Sequence, residues 1–136
     1  MTADRPRDRP RDRPRDRLGR PLPADADPAL AVPGIGPIDA LDDGQIWAMA
    51  LAYLDDGMPF HAHEVFEARW RTAPAADRAA WQAHAQWAAA RTHAARGNEV
   101  GARRLAQRAG DLLRATQHIP PCMDPSLIGD EHPSTG

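Results

Sequence analysis

The chain has no lysine at all among its 136 residues, and a single cysteine, Cys122. One cysteine excludes an internal disulfide and a cysteine-based zinc site. The absence of lysine, set beside 17 arginines and abundant alanine, reads as a coding bias. Long hydrophobic runs are also missing. The best one, Trp47 to Leu54, is far too short to cross a bilayer. The N-terminus has no apolar segment, so no signal peptide is expected, and the chain reads as cytoplasmic with no membrane partner. No stretch alternates with period two, so no sheet is expected.

The charge that is present is unevenly spread. Residues 1–20 hold eight Arg against four Asp, a net of +4; the remainder holds nine Arg against fifteen acids, a net of −6. An acidic folded part argues against a nucleic-acid-binding core. The first segment repeats Asp-Arg-Pro-Arg from Asp4 onward. Proline at every fourth position forbids a helix, and nothing there can be buried to offset the entropy of ordering. Residues 1–37 are therefore expected as a disordered Arg/Asp/Pro-rich tail and linker. Interleaved Asp halves the basic charge of the arm, and the sequence leaves open whether it touches an anionic partner.

Helical periodicity begins near Asp39. A first helix is expected over about 40–56, with Leu41, Ile46, Met49, Ala50, Tyr53 and Leu54 at core spacing. Asp55-Asp56-Gly57 ends it, and Pro59 suits the first turn of the next. The second helix is expected over 59–72, stopping before Pro74. The third spans 75–96, with Gly97 as its stop; Asn98 then caps a fourth. That fourth helix carries the stripe Ala102, Leu105, Ala106, Ala109, Leu112, Leu113 and Thr116. Pro120-Pro121 closes the helical part. The fold class is all-α: a small antiparallel four-helix bundle over 38–119, with disordered N- and C-terminal tails, the latter an irregular 120–136.

The polar residues on the helical wheels carry the chemistry. In the second helix His63 and Glu67 fall inside the apolar arc of Phe60, Ala62, Val65, Phe66 and Trp70, and as i,i+4 neighbours they can touch. Glu64 lies just past its edge. In the third helix Gln86 and His93 are nearly eclipsed, Gln82 lies on the same line, and alanines flank it. Small residues let the helices approach, so His63 and Glu67 should face Gln86 and His93. His61 and His84 read as outward-facing, His118 as a cation near a helix C-terminus, and His132 as a tail residue.

Such a cluster must be paired or bound to something. It can be a hydrogen-bonded network that docks two helices in a non-catalytic interaction or assembly module. It can bind a divalent metal through His63, Glu67 and His93, or a small ligand. It can also do acid–base work through a Glu–His pair. The spacing His-Glu-x-x-Glu is neither the zincin pattern nor the di-iron Glu-x-x-His. The four tryptophans point to one more expectation. Trp81 and Trp87 lie about 120° apart on the third helix, so one core stripe cannot hold both centrally. Either a second copy covers the surplus in a homodimer, or the first helix wraps over the third.

The segments His63-Glu64-Val65-Phe66-Glu67-Ala68-Arg69-Trp70, Gln86-Trp87-Ala88-Ala89-Ala90, and His93 followed by Gly97-Asn98 and Gly101-Ala102 resemble the domain of unknown function 309 family. That is a prokaryotic family of small all-α proteins, and the resemblance spans about 58–113. It differs around Gln86, where Ala85, Trp87 and Arg91 stand in place of larger aliphatics, and after the fourth helix. The resemblance implies the all-α fold and points to His63, Glu64, Glu67, Gln86, His93 and Asn98 as site residues. It implies no activity.

Overall fold

A computed structural model of the chain describes residues 14–129. The N-terminal repeat before residue 14, and residues 130–136 with His132, lie outside the described residues. The elements are α1 (Asp43–Asp55), α2 (Pro59–Thr72), α3 (Ala75–Ala95), α4 (Glu99–Ala115) and a four-residue turn of helix, α5 (Ser126–Gly129). There is no strand among the described residues; two isolated bridges join Arg15 to Pro21 and to Val32. α3 is the central element, packed on α2 along one side and α4 along the other, while α1 packs on α2.

Local chemistry sets the helix ends. α1 starts at Asp43, later than the periodicity suggests, because Asp42 and Gln45 form a reciprocal cap: the Asp42 carboxylate accepts the Gln45 amide at 2.8 Å and the Gln45 side chain accepts the Asp42 amide at 2.9 Å. Pro59 opens α2 and Pro74 precedes α3. Gly97 takes the left-handed conformation at φ 88° that ends α3, and the Asn98 side chain caps α4 by accepting the Gly101 amide at 3.0 Å. A Cβ at position 101 would overlap the Asn98 amide, so glycine there makes room for the cap.

The core centres on Phe66, fully buried, whose ring lies 5.7 Å from Trp47, 6.3 Å from Trp81 and 5.6 Å from His84. α1, α2 and α3 thus meet around one aromatic group, each large ring contributing about 1.5–3 kcal/mol by burial. An Arg69–Asp43 ion pair at 2.9 Å ties the end of α2 to the start of α1. His118 pairs with Asp77 at 3.0 Å, tying the chain after α4 to the start of α3.

Several expectations change here. Trp81 and Trp87 are both buried within one chain. Residues 120–129 are not a loose tail: Pro120, Met123 and Ile128 are buried on the bundle, and the Asp124 carboxylate accepts the amide and hydroxyl of Ser126 at 3.1 and 2.7 Å. Residues 14–33 form a strap along α2, not a featureless linker. Gly19, at φ 78°, lies so close to Phe60 that any Cβ would overlap the ring. Arg96 donates through Nε and Nη2 to the Leu18 carbonyl at 3.0 and 2.7 Å, and Arg17 donates to the Asp56 carbonyl. The Arg15 guanidinium stands 5.0 Å from the centre of the Phe60 ring.

Candidate functional site

α2 and α3 each present polar groups to the seam between them. His63, Glu67 and Trp70 from α2, Gln82, Ala85, Gln86 and Ala89 from α3, and Leu105 from α4 line a cleft of about 210 Å³. The cleft exists because Ala85 and Ala89 stop at a methyl where larger side chains would fill the seam. His63, Glu64 and Glu67 bring one ligating atom each within 4.8 Å of one another. This spread suits donors gathered around one ion, whose bonds to imidazole nitrogen and carboxylate oxygen run about 2.0–2.2 Å.

The electrostatics favour a neutral imidazole. Burial pushes the His63 pKa down, against the upward pull of Glu67 and then Glu64, with Arg71 adding to the depression. Neutral imidazole is the ligating form. Its Nδ1 is buried with no hydrogen-bond partner, as is Oε1 of Gln86 across the cleft. Glu67 holds one ion pair, with Arg71 at 3.4 Å, and the Arg71 side chain is 69% exposed, free to swing away.

His93 and Asn98 are placed elsewhere. His93 stands seven residues beyond Gln86, about 10.5 Å further along the axis, so it shares the face but not the level. Its Nδ1 lies 3.0 Å from Asn98 Nδ2, which donates to it. Asn98 is thus spent on the α3–α4 turn, capping with one end and bonding His93 with the other. Neither residue lines the cleft.

Two histidines expected on outer faces are buried. His61 packs 5.3 Å from the Tyr53 ring and its pKa is lowered by burial, with a bond to the Pro33 backbone and Glu64 opposing and Arg17 assisting. His84 is completely buried, its Nδ1 2.9 Å from the Ala80 carbonyl and its ring edge-on to Trp47 at 5.0 Å. The available signal was α3 itself. No charged residue stands between Arg78 and Arg91, and a helix without a polar face is buried all round.

Residues 47–105 match the family model described as Domain of unknown function (DUF309). Those residues are similar to that family. The match runs from Trp47 in α1 to Leu105 in α4 and includes every residue lining the cleft. No curated protein and no solved structure matches the chain. No helix among the described residues is long and apolar enough to cross a membrane.

Proposed function

We propose that the α2–α3 cleft of this domain binds a divalent metal ion through His63, Glu64 and Glu67, with the Gln86 carbonyl facing them from α3. The observation that carries this reading is the pair of buried, unpartnered atoms, His63 Nδ1 and Gln86 Oε1, in an open cleft that Glu67 lines, with a Glu64 ligating atom within 4.8 Å of those of His63 and Glu67. A sealed structural network, the competing reading, would have its members bonded to one another. One imidazole with two carboxylates is an oxygen-rich, borderline set, which suits zinc or manganese. His93, named with His63 and Glu67 from the sequence, is not in this set because it stands at the α3–α4 turn.

Elemental analysis of protein purified without a histidine tag, followed by calorimetric titration with Zn²⁺ and with Mn²⁺, tests the proposal. The expected result is one saturable site per chain that Glu67→Gln weakens at least about tenfold, while Arg71→Ala leaves it intact or tighter. Absence of stoichiometric binding of either ion, or binding unchanged in Glu67→Gln, refutes it and returns the cluster to a structural role.

A further inference from the structure

Building on the metal reading of the α2–α3 cleft, we propose that the strap of residues 14–33 regulates that site: it clamps Phe60, and Phe60 holds the His63 imidazole in its ligating position. A ligating histidine is usually oriented by a hydrogen bond from its other ring nitrogen to a carbonyl or carboxylate. His63 makes no hydrogen bond to any described residue, and its Nδ1 is buried without one. What its ring meets instead is Phe60, one turn earlier on α2, with ring centres 5.6 Å apart and planes inclined at 38°. The orientation of this ligand is therefore a matter of packing, set by where the Phe60 ring stands.

The strap in turn decides where the Phe60 ring stands. Gly19 passes against it with no room for a Cβ. Arg15, which also donates to the Gly19 carbonyl at 2.6 Å, holds its guanidinium 5.0 Å from the ring centre. Arg96, beyond the end of α3, stands 5.9 Å from the same centre. The far end of the strap reaches the next residue of α2, where the His61 imidazole donates to the Pro33 carbonyl. Yet the strap is weakly held. Gly19 is the only buried residue between 14 and 33, Leu30 is 55% exposed, and the bonds from Arg96 to Leu18 and from Arg17 to Asp56 are open to solvent. A segment with few buried contacts and exposed hydrogen bonds opens locally at far less cost than global unfolding. Opening frees Phe60 to change rotamer, and the imidazole loses the surface it packs against. The His63, Glu64 and Glu67 ligating atoms then no longer keep within the 4.8 Å of one another that suits a single ion. The closed strap is thus the metal-binding state, and by reciprocity a bound ion favours the closed strap.

The test uses the full chain and three readouts. Wild type and Gly19→Ala are titrated with Zn²⁺ by calorimetry. The His63 ring signal, assigned through His63→Gln, is followed by NMR without metal at one fixed pH. Trypsin cleavage after Arg17 is timed with and without Zn²⁺. Gly19→Ala should bind Zn²⁺ at least about tenfold more weakly. Its His63 ring signal should move while the Trp81 indole signal stays in place. Zn²⁺ should slow cleavage after Arg17 in the wild type and leave Glu67→Gln unprotected. Phe60→Leu should reproduce the loss of affinity, and adding Gly19→Ala to it should cost no more, because both act through one ring. Wild-type affinity in Gly19→Ala, an unmoved His63 signal, or losses that add in the double variant overturn the proposal. If Phe60→Leu does not fold, Gly19→Ala and the zinc protection decide the matter without it. A wild type that binds neither Zn²⁺ nor Mn²⁺ is a different failure, which removes the metal reading and its regulation together. Zn²⁺ bound equally with and without the Gly19 contact removes the regulation alone.

Discussion

Acidification should destabilise this domain through His84. The imidazole is completely buried between Trp47 and Phe66, with Nδ1 2.9 Å from the Ala80 carbonyl and Nε2 unpartnered. Burial holds its pKa below the ordinary 6.5; the Ala80 carbonyl and Asp124 pull the other way but do not prevail. Asp124 is solvent-exposed, so its attraction is screened. The folded chain therefore binds fewer protons here than the unfolded chain. The contribution is fully present above pH 6.5 and is lost as pH falls below that value. One group of this kind changes stability by at most about 1.4 kcal/mol per pH unit, or about 2 kcal/mol between pH 6.5 and 5. His61 and His63 are depressed in the same direction, so the wild-type slope contains their share too.

The variant His84→Gln isolates the term. Glutamine does not titrate here, has nearly the volume of histidine and keeps a donor for the Ala80 carbonyl. Urea unfolding followed by tryptophan fluorescence from pH 8 to 5 should give two stability curves that run parallel above about pH 7. Below pH 6.5 the wild type should fall more steeply, by up to about 1.4 kcal/mol per pH unit. Parallel curves through the acid range would refute the reasoning, because they would mean the folded core accepts the proton as readily as water does.

Other perturbations separate parts of the fold. Gly19→Ala places a methyl on the Phe60 ring at a left-handed backbone position, so the strap should release while the bundle stays folded. Limited trypsin digestion should then cut after Arg17 much faster than in wild type; equal rates would show that the strap is not held by this contact. Asn98→Ala should cost about 1 kcal/mol through loss of the α4 cap, and Asn98→Asp should recover most of it, both read from urea midpoints. Equal stability of the two variants would remove the cap from the account.

The sequence made visible what local chemistry determines. The helix boundaries follow from Asp42 with Gln45, Pro59, Pro74 and Gly97-Asn98, each acting within a few residues. The wheels of α2 and α3 put His63, Glu67 and Gln86 toward one seam, and the structure has all three lining it. A wheel has no axial coordinate, however, and that is why His93 looked like a fourth member when it stands two turns away at the α4 cap. It also assumes that every helix has an outside. α3, flanked by α2 and α4 and reached by Trp47 from α1, has little of one, so His84 was misplaced. The strap was illegible for a third reason: its anchors join residues far apart in sequence, as in the bond from Arg96 to Leu18, 78 positions away.

Where the unmet polar atoms lie bears on function more directly than any motif. Among the described residues, the buried side-chain nitrogens and oxygens without a partner belong to His61, His63, Trp81, His84, Gln86 and Trp87, so all of them sit on α2 or α3. Each costs about 1–3 kcal/mol relative to a bonded state, against a net stability of about 5–15 kcal/mol for a typical domain. A bundle this rich in alanine could have been assembled from the same helices with apolar residues at those positions, at no loss of packing. Keeping imidazoles, an amide and two indoles there makes sense where some of them meet a ligand. Two of the six, His63 and Gln86, line the α2–α3 cleft. The seam between α2 and α3 is therefore where substitutions should separate binding from folding.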